Sequence, residues 1–209
     1  MIQARLNALG LGWAELIGLL TSFLFITGLS YFYGYYNAGL NAGWIINLLT
    51  SKELLISNLR LGVVIIMVFM YLESIFDKDS GNKLIKEFLW GCVAITGILV
   101  YFFIKKGVWI EGAGYLIALI AIFGLVKWDG AGKWICILLI LFIVPYINGI
   151  TAFQNKVRSN LPEVTLKNED KQWLLFDTFS DKVVLIDGLK KDKNIRVVSI
   201  NDLENVRVK

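Results

Sequence analysis

The amino-acid sequence predicts a mainly α-helical membrane protein with a small β-rich domain at its C-terminal end. Of the 209 residues, 56% are hydrophobic and only 18% are charged, whereas a soluble domain is about one quarter charged. Apolar runs of membrane-spanning length fill the chain up to Phe153. Charged residues are concentrated after that point, which predicts a second, soluble unit.

The helical part contains five apolar runs, and about 20 helical residues are needed to cross a bilayer core of about 30 Å. These runs are residues 11–33, 59–76, 84–104, 108–126 and 134–153. Because backbone groups in lipid must be paired within the segment, each run is predicted to be a helix. The sequence also allows four spans with one re-entrant segment, which would place both termini on one side.

Residues 34–51 are too apolar for an ordinary loop and too polar to span a bilayer. Trp44, Ile45 and Leu48 share one helical face, and this spacing predicts an amphipathic helix at the membrane interface. Tyrosines precede this segment and are predicted to anchor the chain at the interface. They are Tyr31, Tyr33, Tyr35 and Tyr36.

The tail divides into a predicted linker, residues 154–171, and a predicted small cytoplasmic β domain, residues 172–209. Candidate strands are residues 173–177, 183–187, 195–200 and 206–208. So short a unit forms a marginal core alone. We therefore expect it to rest on the membrane, on a second copy or on a partner protein, and its edge strands favour assembly.

Charged side chains in membrane spans are costly and mark candidate sites. The candidates are Glu15, Arg60, Glu73 and Glu111, each near an end of a predicted span. One interpretation is that they are interfacial groups without a special role. The other is a polar cluster or pore mouth, in which a Glu15–Arg60 pair would compensate both charges.

Small residues in the fourth run predict a helix-packing face, since they let membrane helices approach closely. They are Gly114, Ala118, Ala121 and Gly124. Pro145 in the fifth run predicts a bend, because proline removes one helical hydrogen bond. It is either a hinge or an ordinary packing bend.

The chain contains no histidine, and its two cysteines, Cys92 and Cys136, lie apart in apolar runs. This pattern excludes histidine-dependent catalysis and gives no zinc spacing. We expect no cofactor, no bound metal and no enzymatic activity. The net charge of +4 is too small to predict direct nucleic-acid binding.

The order of the segments resembles that of small bacterial inner-membrane proteins in which several spans precede a short β tail. The residues that carry it are the run Tyr-Phe-Tyr-Gly-Tyr-Tyr-Asn-Ala-Gly-Leu at 31–40, the amphipathic stretch after it, and the strands of 173–208. The layout is also similar to that of the membrane subunit of Kiwa-type, two-component phage-defence systems. The resemblance carries over no functional residue. It implies a multi-pass protein of the bacterial inner membrane and a role in antiviral defence.

These observations lead to three hypotheses about function. The first is a non-enzymatic homo-oligomer in the lipid bilayer that recruits a cytoplasmic protein partner through residues 172–209. A small excess of Lys and Arg on the same side as the tail favours a cytoplasmic tail. The second is an ion channel or permeability-altering effector. The third is a subunit of a membrane transporter or enzyme.

Overall fold

A computed structural model describes residues 12–57, 59, 63, 101, 109–128, 130–159, 161–167, 169–188 and 194–207. Helices come first and a β-rich unit follows, as the sequence predicts. This unit is a five-stranded antiparallel sheet, with one strand more than the four predicted. The helices are α1 Trp13–Leu40, α2 Ser51–Ser57, α3 Trp109–Lys127, α4 Ala131–Leu138 and α5 Val144–Arg158. Predicted spans 59–76 and 84–104 lie outside the described residues, apart from the single positions 59, 63 and 101.

Helix α1 has 28 residues and is therefore about 42 Å long. It continues to Leu40, beyond the predicted end of the first span, and Asn41 terminates it with a left-handed φ of +54°. The predicted interfacial segment is thus divided between the end of α1, a 3-10 helix at Gly43–Leu48, and the start of α2. The helix continues because its last turns are buried by protein.

Helices α1 and α5 run parallel and touch through glycines. Ser30 contacts Phe142, and Gly34 faces Tyr146, so residue numbers increase together along the two helices. A Cβ atom on Gly34 would overlap the carbonyl oxygen of Tyr146, and one on Gly149 would overlap that of Tyr31. The two backbones approach each other this closely because neither glycine has a side chain.

A π-helical turn at Leu139–Ile143 joins α4 to α5, so that α4, the turn and α5 form one continuous helix. Pro145, the second residue after the turn, is buried. Proline cannot donate a backbone hydrogen bond, and π turns change the pairing of nearby carbonyls. The hydroxyl of Ser30 donates to the carbonyl of Phe142 over 2.6 Å, so α1 supplies one carbonyl of this turn with a partner.

Helix α3 and the α4–α5 helix form an antiparallel hairpin. Gly114 near the start of α3 faces Ile147, whereas Gly124 near its end faces the thiol of Cys136. Ala121 and Cys136 are fully buried between these helices. The predicted packing face of α3 therefore includes residues that contact the same chain.

The sheet has the strand order β4-β3-β2-β1-β5. Its strands are β1 Glu163–Leu166, β2 Glu169–Phe179, β3 Lys182–Ile186, β4 Ile195–Ser199 and β5 Leu203–Arg207. The predicted strands 183–187 and 195–200 match β3 and β4 to within one residue. The predicted strand 173–177 covers only the middle of the eleven-residue β2, and 206–208 overlaps the end of β5. Strand β1 and the start of β2 lie within the predicted linker 154–171, and α5 extends into it as far as Arg158. The linker is therefore shorter than predicted.

Both faces of the central strands β2 and β3 are buried. The sheet curls, because its opposite edge strands β4 and β5 are joined by only three residues, Ile200–Asp202, and its other face rests on helices. The curled side encloses five buried side chains of its own. They are Val164, Leu166, Trp173, Val183 and Leu185. The other side packs Phe176, Val184 and Ile186 against the end of α1. The small sheet therefore rests on helix α1 of its own chain.

Two helices among the described residues are long and apolar enough, by length and composition, to cross a membrane. They are Ala14–Leu40 and the continuous helix Ala131–Arg158. The apolar part of α3, Gly112–Leu125, is shorter.

Candidate functional site

The candidate site is the junction where strand β2 meets the C-terminal turns of α1. The hydroxyl of Tyr36 donates a hydrogen bond to Oδ2 of Asp177 over 2.8 Å. Tyr36 is 1% exposed, and the second carboxylate oxygen of Asp177 accepts the backbone N–H of Thr178 at 2.9 Å. A buried hydroxyl paired with a carboxylate is a strong contact, because one partner is charged.

A β-bulge in β2 brings Asp177 to this junction. Leu175 pairs with Leu185 and Asp177 pairs with Val184, so Phe176 is an extra residue without a counterpart in β3. Neighbouring strand residues normally point to opposite faces. The bulge interrupts that alternation, and as a result both Phe176 and Asp177 face α1.

Aromatic rings fill the space around this hydrogen bond. The ring centre of Phe176 lies 5.6 Å from those of both Tyr35 and Phe153, and the rings of Tyr35 and Tyr36 pack edge to face at 4.9 Å. Such pairs add stability beyond their buried area. Tyr35 and Tyr36 are therefore buried against the sheet, in contrast to the prediction that they anchor the chain at the membrane interface. Tyr33 is 50% exposed.

A groove of about 380 Å³ opens beside the junction, between α1, α2 and the β2–β3 turn. Its lining combines apolar, hydroxyl and charged side chains. The lining residues are Phe32, Tyr36, Leu49, Thr50, Lys52, Glu53, Ile56, Ser57, Asp177, Thr178, Phe179 and Ser180. We call it the junction groove.

Asp187, which follows β3, holds the two ends of the β3–β4 connection together. Its Oδ1 accepts the backbone N–H of Asn194 at 2.9 Å, and its Oδ2 lies 3.3 Å from Nζ of Lys171. The hydrogen bonds from Asn194, followed by the Lys171 ammonium, lower the pKa of Asp187. A hydrogen bond and ion pair with Arg196 likewise lowers the pKa of Glu169.

Of the predicted charged site residues, Glu15 is the one whose side chain the structure describes. Its Oε2 accepts the backbone N–H of Gly12 at 2.5 Å, which caps the start of α1. Arg60 and Glu73 lie outside the described residues, and so does the side chain of Glu111. The predicted Glu15–Arg60 pair stays a prediction.

The predicted packing and hinge residues lie in the helical layer, away from the junction. Gly114, Ala121 and Gly124 are buried, and Ala118 is half-buried. Pro145 is buried beside the π-helical turn, and its role as a hinge stays a prediction.

The described residues contain no group of three Cys, Asp or Glu side chains placed to hold a metal ion. Asp177 and Phe176 were not predicted as site residues, because period-two alternation does not reveal a bulge. The available signal is the order Leu174-Leu175-Phe176-Asp177, in which a single acid interrupts an apolar strand.

Comparison of the chain with protein-family models, with curated proteins and with solved structures finds no match.

Proposed function

We propose that this chain is a non-enzymatic module of the bacterial inner membrane that holds a small sheet at the cytoplasmic surface for a soluble partner. The observation that carries the proposal is the junction between the sheet and α1. It fixes a soluble-type domain rigidly to one end of a helix whose other end exposes aliphatic side chains.

The exposure of the long helices supports a membrane environment. In the 18-residue apolar stretch of each helix, only 11% is buried in α1 and 33% in the α4–α5 helix. The core helix of a soluble protein would be mostly buried. Ile17 is 61% exposed and Leu19 is 58% exposed. Contiguous apolar surface of this kind is typical of contact with lipid or protein.

Helix directions support an odd number of spans. Because α1 and the α4–α5 helix are parallel and α3 is antiparallel to both, α1 ends and α3 begins on the side of the sheet. The chain between them then crosses an even number of times. The two predicted spans 59–76 and 84–104 give five crossings, and this supports five spans over four.

The sheet offers its edges to a partner, since one face is occupied by helices and the other by its own curl. Strands β4 and β5 are the two edges. Val206 in β5 and Ile200, in the 3-10 turn that follows β4, are about half exposed. Open edges accept an additional strand. The docking region proposed for the partner is therefore the edge residues within 172–209.

The resemblance to phage-defence membrane subunits supports a defence role, in which the partner would be a cytoplasmic effector or sensor. Homo-oligomerisation through exposed helix faces belongs to the same proposal. No described residue favours the channel, transporter or enzyme alternatives in a comparable way, since Glu15 serves as a helix cap.

Site-specific photocrosslinking in cells tests the proposal. Crosslinkers at Ile200 and Val206 should each capture one and the same soluble protein, while crosslinkers at Ile17 and Trp134, which are exposed on the helices, should not. Adducts only with lipid or with a second copy at all four positions would contradict partner recruitment.

Cysteine labelling tests the orientation. In a background with Cys92→Ser and Cys136→Ala, an impermeant maleimide applied to spheroplasts should label Lys133→Cys and leave Glu204→Cys unlabelled until lysis. The reverse pattern would place the sheet outside, and labelling of both positions in intact spheroplasts would contradict a spanning arrangement.

A further inference from the structure

We infer that the junction groove binds the headgroup of a zwitterionic phospholipid with a primary ammonium group, namely phosphatidylethanolamine. The inference rests on the proposed membrane location and names a ligand that the location alone does not require. The inference is based on the depth of the groove along α1, on its combined apolar and polar lining, and on its net charge.

The depth follows from the charged residues of α2. Lys52 and Glu53 line the groove, and the neighbouring Leu54 lies against Gly28 of α1. Because charged side chains are costly in hydrocarbon, this level of α1, and Phe32 and Tyr36 after it, lies at the headgroup layer. Both residues line the groove. A cavity at this level meets lipid headgroups and the first carbons of their acyl chains.

The lining matches a ligand that has an apolar and a polar end. Phe32, Ile56 and Phe179 form an apolar portion, and Lys52, Glu53 and Asp177 supply charges. Ile56 is 57% exposed, so the apolar portion is open to an acyl chain. The volume of about 380 Å³ lies within the range of small-ligand sites.

The charges favour a zwitterion over an anionic lipid. Two carboxylates and one ammonium line the groove, which leaves a net negative charge that repels a phosphate without a compensating cation. Each carboxylate oxygen can accept two hydrogen bonds. Asp177 uses one site on each oxygen, for Tyr36 and Thr178, and retains acceptor capacity for an N–H donor.

Glu53 adds to this capacity. Its Oε2 accepts the backbone N–H of Thr50 at 2.6 Å, and Oε1 has no hydrogen-bond partner among the described residues. A primary ammonium has three N–H donors, whereas a choline headgroup has none. Lys52 also lines the groove and supplies an ammonium group for the lipid phosphate.

The test is lipid retention by the full-length protein. Purified, delipidated protein is mixed in detergent with phosphatidylethanolamine, phosphatidylcholine or phosphatidylglycerol, and bound lipid is counted by native mass spectrometry. We expect one retained phosphatidylethanolamine per chain and at least tenfold weaker retention of the other two. Equal retention of all three lipids would overturn the inference.

Variants then locate the site. Lys52→Met and Asp177→Asn should each weaken phosphatidylethanolamine retention about tenfold, a change of about 1.4 kcal/mol. Lys156→Met, in the last turn of α5, and Asp187→Asn, on the sheet, are the matched controls and should change nothing. Controls that weaken retention as much as the groove variants would overturn the assignment.

Phe176→Leu separates lipid binding from domain docking, because Phe176 packs the sheet against α1 and is not part of the groove lining. We expect it to retain the lipid. Loss equal to that of Asp177→Asn would show that Asp177 acts only by holding the sheet, and would overturn the inference. Labelling and crosslinking, not lipid retention, test the proposed function, so the two can fail separately.

Discussion

The two halves of α1 are both apolar, yet they have different surroundings. The N-terminal half exposes aliphatic side chains such as Ile17 and Leu19, whereas the C-terminal half buries Tyr35, Tyr36 and Leu40 under α5 and the sheet. Glycine and tyrosine distinguish the second half. Glycine admits a neighbouring backbone, and tyrosine supplies ring area with a hydroxyl. One hydropathic run thus contains an exposed apolar part and a part buried by docking.

Truncation of a phenylalanine should reveal the difference between the two halves of α1 with the largest effect. Phe176→Ala removes a fully buried ring that joins the sheet to α1, and such changes cost about 3–5 kcal/mol. Phe25→Ala, on the exposed N-terminal half where the ring is 36% exposed, is the matched control. We expect Phe176→Ala alone to make the sheet sensitive to limited proteolysis in detergent. Equal resistance of both variants would contradict docking through Phe176.

Glycine substitution should come next. In Gly34→Ala the new methyl group meets a carbonyl oxygen of α5, while in Gly18→Ala it meets nothing within 4 Å. Overpacking costs about 1–3 kcal/mol of stability. The atom that the methyl group meets belongs to the backbone and cannot move aside easily, so we expect a cost near the upper end of this range. Thermal unfolding in detergent should show a lower midpoint for Gly34→Ala and an unchanged or slightly raised one for Gly18→Ala. Similar midpoints would contradict the close crossing.

The junction hydrogen bond should have a smaller effect. Tyr36→Phe removes a hydrogen bond to a carboxylate, and hydrogen bonds to charged groups contribute about 1.5–3 kcal/mol to stability. We expect a loss near the lower value, about 1.5 kcal/mol, because Asp177 is only half-buried. Tyr33→Phe, at an exposed position of the same helix, is the control. A double-mutant cycle of Tyr36→Phe with Asp177→Asn should show coupling, whereas additive effects would exclude a direct interaction.

The sequence predicts the classes of structure because each has its own period or composition. Apolar runs and β-branched stretches such as Ile195–Ser199 carry those signals, and the strand there agrees with the prediction. Strand β1 is missed because only four residues after Pro162 form it, and pairing with β2 and β5 stabilises it. The junction is missed because it depends on residues 141 positions apart, Tyr36 and Asp177, and on a bulge that alternation does not reveal.

Acid should affect the sheet more than the helix pair, and this is the smallest expected effect. The pKa values of Asp187 and Glu169 are lowered in the folded chain, so their contribution is fully present above the usual carboxyl values of 3.8 and 4.5. It is lost as the pH falls through the lowered values, because the unfolded chain then binds more protons. Both groups are close to solvent, and salt should weaken the effect.

Hydrogen exchange between pH 6 and pH 3 measures this difference. Protection should decrease in β3 and β4, whose connection Asp187 closes, before it decreases in the crossing of α1 with α5, where glycine contacts carry no titrating group. Asp187→Asn keeps an acceptor for Asn194 but loses the ion pair with Lys171, and should flatten the pH dependence of β3 and β4. A simultaneous loss of protection in β3–β4 and in the α1–α5 crossing would contradict this expectation. It would show that the sheet and the end of α1 unfold as one unit.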